Sequence, residues 1–325
     1  MSDTDTSVEA RVAARSLAWV EGCYYWGDAI AYDGLLAVDR TLQAGLAEEL
    51  ASRLTRWYEN APDSWDDALA PGRAASELVQ RGMLEPAVLE RIVEAMTRLP
   101  RAAGVPLLRP HVPGWRTLVW VDCLYHLPST LVAAADVLDR PELVADGTAV
   151  AEAVLAVLRT PASVGHAYDA GLRRGTGIEW TRGIGWALLG LLDTAGAAPG
   201  PHAAGLVDEA ERLIGALAAD QRDNGQWPTV LGATEAADET SVAGFFVAAA
   251  RHPQLSASSR DRYAAAADRA EAALVQCVEQ DGTVTGVSHD THVTWSVQDY
   301  LRPSVLASPW GQGAALRAFA TRTRP

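Results

Sequence analysis

Apolar residues in this chain recur at the spacing of an amphipathic helix over one long segment after another: Ser76 to Ala95, Leu118 to Leu138, Val144 to Leu158, Ile184 to Leu192, Gly205 to Ala219 and Arg260 to Val278. Strand-like alternation is almost absent. Short loops such as Ala70-Pro71-Gly72, Asp223-Asn224-Gly225 and Asp281-Gly282 stop and restart the helices at intervals typical of antiparallel hairpins. The pattern predicts an all-α protein of about a dozen helices. No short fixed repeat marks a solenoid, so a closed ring of helix pairs, an (α/α)6 barrel, is expected. The inner helices of such a ring are buried on both sides and read as nearly continuous apolar runs, as Ala187 to Leu192 and Val242 to Ala250 do. No long linker or low-complexity run divides the sequence, which is read as one domain over residues 1–325.

Charge narrows the chemistry. The formal net charge is −14, and all 27 basic residues are arginine. A basic face for nucleic acid is not expected. Without lysine there is no Schiff base, no pyridoxal phosphate anchor and no Walker A loop. Cys23, Cys123 and Cys277 lie far apart with no CxxC, which points to small core residues in a reducing compartment rather than to disulfides or zinc. No cofactor or metal is expected. The N-terminal MSDTDTSVEA lacks the basic and apolar regions of a signal peptide, and no stretch reaches the roughly 18 uninterrupted apolar residues of a membrane span, so a cytoplasmic location is expected.

Eleven tryptophans and eight tyrosines stand against three phenylalanines. Rings with a polar handle are favoured over plain ones. Trp120, Trp180, Trp186, Trp227, Trp295 and Trp310 fall at helix starts or in loops beside polar residues, which suits stacking on sugars; packing between helices is the plainer explanation of any single ring. In Val119-Trp120-Val121-Asp122-Cys123-Leu124-Tyr125-His126 one acid sits in an apolar helical start, where an ionised carboxylate is costly without partners, so Asp122 is either paired or functional. Asp66-Asp67, before Pro71-Gly72-Arg73, forms a second acidic pair with N-capping as its plain explanation. Gly165-His166-Ala167-Tyr168-Asp169 and Trp180-Thr181-Arg182-Gly183-Ile184-Gly185-Trp186 combine a histidine, a guanidinium fork and flanking rings, which is what recognition of an acidic sugar needs.

The last of these segments resembles the W-A-R-G-N-G-W motif of unsaturated uronyl hydrolases, glycoside hydrolase families 88 and 105. Trp120 to Tyr125 resembles their W-[IVL]-D-x-L-Y-M, and His166 to Asp169 their H-A-[YW]-D. Asp66-Asp67 resembles D-D-x-x-x-G with one extra residue of spacing; Gly225-Gln226-Trp227 with Glu239-Thr240-Ser241 resembles G-x-W followed by E-[ST]-S; Gly311-Gln312-Gly313-Ala314 resembles a C-terminal G-x-G-A. The resemblance runs from about Trp65 to Ala314 and implies an (α/α)6 barrel that removes a 4,5-unsaturated uronic acid from the non-reducing end of small carbohydrates. It implies that Asp122 is the general acid and base, protonating C4 of the vinyl ether while water adds at C5, with Asp67 as the second carboxylate. His111, eleven residues before Asp122, matches a substrate-contacting histidine, as does His166. Trp120, His126, Asp169, Trp180, Arg182, Trp186 and Trp227 complete the expected substrate-binding set.

The sequence departs from the family where His126 stands for methionine, Ile184 for asparagine, and Pro309-Trp310 for polar residues. By resemblance these positions lie near the pocket. They motivate two alternatives: an Asp122-dependent enzyme acting on an atypical enol ether or glycoside, and a non-catalytic sugar-binding protein on the same barrel.

Overall fold

The computed structural model describes residues 7–20, 26–60 and 71–322. Its helices are α1 (Val8–Trp19), α2 (Trp26–Leu42), α3 (Leu46–Asn60), α4 (Gly72–Gln80), α5 (Pro86–Arg98), α6 (Cys123–His126), α7 (Pro128–Val137), α8 (Glu142–Leu158), α9 (Thr181–Ala195), α10 (Gly200–Asp220), α11 (Thr240–Ala250), α12 (Ala257–Gln276), α13 (Gln298–Leu301) and α14 (Pro309–Phe319). Five short strands interrupt them: β1 (Arg101–Ala102), β2 (Val105–Pro106), β3 (Leu118–Trp120), β4 (Ala167–Asp169) and β5 (Arg174–Gly175).

Neighbouring contacts close a ring. Helix α2 packs on α4, α4 on α7, α7 with α6 on α9, α9 on α11, α11 on α14, and α14 back on α2. Outside it, α1, α3, α5, α8, α10 and α12 each cover one or two inner helices, which makes an (α/α)6 barrel. Burial follows this division: every residue of α11 is buried, whereas α12 buries only one stripe. Two expected helices differ in detail. Ser76 to Ala95 breaks at residues 81–85 into α4 and α5, and Leu118 to Leu138 opens with a strand and is interrupted at Leu127, ahead of Pro128. An apolar run of three residues carries no period that separates strand from helix.

Glycine sets how closely the inner helices approach. A Cβ at Gly190 of α9 would lie 2.0 Å from the carbonyl oxygen of Leu124, and one at Gly313 of α14 would lie 2.4 Å from the backbone of Ile30 in α2. Backbone cannot yield as a side-chain tip can. Gly190→Ala is expected to cost about 3 kcal/mol, the upper end of ordinary overpacking, and to lower kcat as well, because the displaced turn is the one that begins at Asp122. Urea denaturation and initial rates on the same sample check both effects.

Beneath the N-terminal ends of the inner helices, residues of α2, α4, α6, α9 and α14 and of the turn after α11 form one partly buried polar cluster. Tyr125 donates its phenol proton to Asp33, and Arg73 pairs with Asp193 and lies 3.6 Å from Asp33. Arg317 reaches Asp193 at 3.4 Å and Asp33 at 3.9 Å, and His252 Nε2 lies 3.1 Å from Asp193. His252 Nδ1 accepts the Gln254 N–H, so Nε2 carries the proton given to Asp193. Burial alone would raise the Asp193 pKa, but Arg73 and Arg317 outweigh it and hold the carboxyl far below the usual range. A depressed carboxyl stabilises the fold above its unfolded pKa of about 3.9, and that contribution is lost as pH falls below this value. Melting temperatures measured from pH 7 down to pH 3 should therefore drop on the acid limb, and the drop should be shallower in Asp193→Asn.

Among the described residues, no helix is long and apolar enough to cross a membrane.

Candidate active site

Strands β3 and β4 build the site. They pair antiparallel with Trp120 opposite Ala167, and the Val121 N–H continues the ladder to the His166 carbonyl at 2.9 Å. Asp122 follows at once, where the chain turns into α6; its own carbonyl accepts the N–H groups of Tyr125 and His126. The strand run thus delivers Trp120 and Asp122 beside His166, and the Ile178 carbonyl, accepting the His166 N–H, draws Trp180 in beside them.

Trp120, Asp122 and Trp180, but not the expected His166, line a cavity of about 210 Å³ at the N-terminal ends of the inner helices, and Trp26, Arg109, Trp115, Asp290, Thr291 and His292 complete its described walls. That is below the roughly 300 Å³ at which drug-sized sites begin, and it suits one ring rather than a chain of them. Asp122 is 8% exposed. Trp115 and Trp120 meet edge to face at 5.5 Å, and the His292 ring lies 5.5 Å from Trp115. Trp26 is backed by Trp310, stacked at 4.8 Å.

His166 is buried among Trp120, Trp180 and Tyr300. Its Nδ1 is 2.7 Å from the Tyr300 hydroxyl, which also accepts the Thr294 N–H. Burial first, then the charges of Arg182, Arg109 and His292, push the His166 pKa down to about 3. His126 is pushed to about 3 as well, by burial and Arg109, and among the described residues neither ring nitrogen has a hydrogen-bond partner. Both imidazoles are neutral at ordinary pH. Burial raises the Tyr300 hydroxyl to about 12.

Arg182 is not on the cavity wall. It is wholly buried: Nη1 donates to the Ser288 carbonyl (2.6 Å) and hydroxyl (2.7 Å) and lies 3.5 Å from Glu239, while Nη2 donates to the His289 carbonyl (2.9 Å) and the Thr291 hydroxyl (3.0 Å). Glu239 completes the clasp by accepting the Ser288 N–H at 3.1 Å, and Trp310 Nε1 donates to the Ser288 carbonyl at 3.2 Å. The segment 288–291 is thereby fixed, and with it Asp290, Thr291 and His292 on the cavity. The expectation of a guanidinium facing the sugar is corrected to one that holds the wall.

Other expected residues also lie elsewhere. Trp186 is fully buried among Trp26, Tyr125, His126 and Phe245. Trp227 is fully buried against Phe246 with its Nε1 on the Leu217 carbonyl. Both are packing rings rather than platforms. Asp169 accepts from Thr117 and from the backbone of Gly171 and Leu172, which closes a turn, and His111 is exposed on the loop before β3. Neither lines the cavity. His126 and Ile184, expected near the pocket, sit in the core behind it. Asp67, with Trp65 and Asp66, lies outside the described residues. Missed from the sequence were Trp26, Arg109, Trp115, Asp290, Thr291 and His292; the ring and cation of Arg109-Pro110-His111-Val112-Pro113-Gly114-Trp115 were the one available signal. Among the described residues no three of His, Cys, Asp and Glu gather as a metal ion would require.

Solved structures of glycoside hydrolases superpose on this helical barrel. A possible member of the GH105 family from Salmonella enterica serovar Paratyphi A matches with a TM-score of 0.87 at 17% identity, over 99% of this chain and 95% of that one. An unsaturated glucuronyl hydrolase from Bacillus sp. GL1 matches at 0.74 and 16%, over 95% and 93%. At these identities the likeness shows the fold. The chain belongs to Glycosyl Hydrolase Family 88, whose pattern it matches over residues 86–324. It is also 27% identical over 207 residues to the unsaturated rhamnogalacturonyl hydrolase YesR of Bacillus subtilis, an alignment that takes in 62% of this chain and 58% of that protein.

Proposed function

We propose that the chain is a glycoside hydrolase that removes a 4,5-unsaturated uronic acid from the non-reducing end of an oligosaccharide or glycoside. One observation carries the reading: Asp122 lines a cavity sized for one ring, walled by Trp26, Trp115, Trp120 and Trp180 and flanked by Arg109. The names of its relatives, an unsaturated rhamnogalacturonyl hydrolase and an unsaturated glucuronyl hydrolase, agree with that substrate class.

In this mechanism Asp122 gives its proton to C4 of the C4=C5 vinyl ether, which leaves an oxocarbenium at C5 and O5. Water adds at C5 and returns a proton to the Asp122 carboxylate. The C5 hemiketal then opens to a ketone, C1 becomes a hemiacetal, and the aglycone departs as an alcohol. The double bond is hydrated and the anomeric carbon is never attacked, so the carboxylate spacing of ordinary glycosidases has no bearing. Asp67 is the second carboxylate of the proposal. His166, neutral and held by Tyr300, positions Trp120 and Trp180.

His126 and Ile184 had motivated an atypical substrate; their burial behind the wall removes that motive, and the same substrate class as the family is retained. Cys123 and Cys277 are free thiols, which supports a reducing compartment, and we place the enzyme in the cytoplasm. Purified protein should abolish the ultraviolet absorbance of the conjugated double bond in unsaturated glucuronyl or galacturonyl disaccharides. A panel of both kinds left unchanged would end this reading.

A further inference from the structure

Of the described tryptophans, Trp295 alone is exposed, at 44%. A single exposed ring is ordinary on a protein surface; this one is held in place from two sides. The Thr294 hydroxyl donates to the Ser296 carbonyl at 3.1 Å and accepts the Ser296 N–H at 3.4 Å, which fixes the bend that carries Trp295. The Thr294 N–H is anchored on the Tyr300 hydroxyl, whose other neighbour, His166, packs on the wall rings Trp120 and Trp180. From the β4–β5 hairpin, the Arg174 guanidinium carbon lies 5.0 Å from the centroid of the Trp295 ring. A cation backs one face of the indole, so covering the other face orders little that is not ordered already. The sheet places this ring beside the cavity. Register sets Leu118 next to Asp169 and Asp169 next to Arg174, and residues two apart on a strand share a face, so Arg174 stands on the face of the sheet that carries the wall residue Trp120. Two strand spacings, about 10 Å, separate β5 from β3. Leu172, in the turn of the same hairpin, and Val297, two residues beyond Trp295, are exposed as well, which makes this rim of the site apolar.

We propose that Trp295, backed by Arg174, is the platform for the leaving side of the substrate: a sugar ring of the aglycone lays its C–H face on the indole while the unsaturated uronyl ring occupies the cavity beside Asp122. The inference rests on the function proposed above and names what holds the part of the substrate that a cavity sized for one ring leaves outside. The aglycone does not change shape as C4 is protonated and C5 hydrated. Its contact with Trp295 is therefore equal in ground and transition states, and it acts on KM rather than on kcat.

The test measures kcat and KM for the methyl glycoside of the unsaturated uronic acid and for a disaccharide and a trisaccharide that carry the same uronyl end, in the wild-type enzyme, Trp295→Ala and Trp295→Phe. Wild type should show kcat/KM roughly 3- to 10-fold higher on the better oligosaccharide than on the methyl glycoside, the range of one aromatic contact. In Trp295→Ala that ratio should fall to near one through a rise in the oligosaccharide KM, and Trp295→Phe, which keeps a ring, should retain most of it. No preference for the oligosaccharides in wild type, a preference that survives Trp295→Ala, or a loss carried by kcat alone overturns the assignment. If wild type turns over none of the three, the proposed function fails, and calorimetry with the same ligands still decides on Trp295. A gain in affinity with length that is present in wild type and absent from Trp295→Ala upholds the platform, and any other pattern overturns it.

Discussion

Asp122→Asn should lower kcat on an unsaturated uronyl disaccharide by roughly 10^3- to 10^4-fold, the upper range for loss of a positioned general acid and base. Asparagine has the same shape, and the backbone at this position is held by bonds its side chain does not make, from the Tyr125 and His126 N–H groups to its carbonyl. The tryptophan walls stay in place, so KM should move by only a few-fold. What disappears is the proton for C4 and the acceptor for the proton of the attacking water. Since each tenfold in rate is about 1.4 kcal/mol of barrier, the predicted loss corresponds to about 4 to 5.5 kcal/mol at the transition state. Steady-state kinetics with a melting curve on the same protein check it. Equal turnover by wild type and variant would remove Asp122 from the chemistry, and a matching fall in stability would make its role structural.

The second large effect is expected at Arg182. Arg182→Met leaves Glu239 buried without its cation and takes four hydrogen bonds from the 288–291 segment. Breaking a buried pair from one side costs about 3 to 5 kcal/mol, more than removing both partners. Arg182→Met should therefore lose that much in chemical denaturation, and Arg182→Met with Glu239→Gln should recover part of it, a coupling that a double-mutant cycle reads directly. Activity should fall in both, because Asp290, Thr291 and His292 are placed by this segment. If Arg182 instead touched the sugar, KM would rise while stability held and Glu239→Gln gave no rescue.

These two residues also show what a sequence can and cannot tell. The ring was readable because burial on both sides leaves an uninterrupted apolar run, as in Val242 to Ala250, and Asp122 stood out as one acid among apolar neighbours. Arg182 stood out just as clearly, yet a motif says that a guanidinium is needed without saying what it holds. Trp186 and Trp227 were ambiguous for the same reason, since a ring that packs between helices and a ring that stacks on sugar leave the same letter. The wall formed by Asp290, Thr291 and His292 was invisible because an irregular loop has no period, and its place depends on contacts with residues more than a hundred positions away. Arg109 carried no signal beyond its nearness to Trp115, because a single arginine in a loop does not say which rings and acids it will face.

The cluster of Asp33, Arg73, Tyr125, Asp193, His252 and Arg317 fills the axis of the ring between the tryptophan-walled cavity and a second hollow of about 630 Å³ at the opposite end, which Arg73 and Asp193 themselves border. It stands as a partition between the two hollows. On the proposed function such a well takes a chain by its terminus, and because only that terminal uronate carries the double bond, each strand yields a single cut.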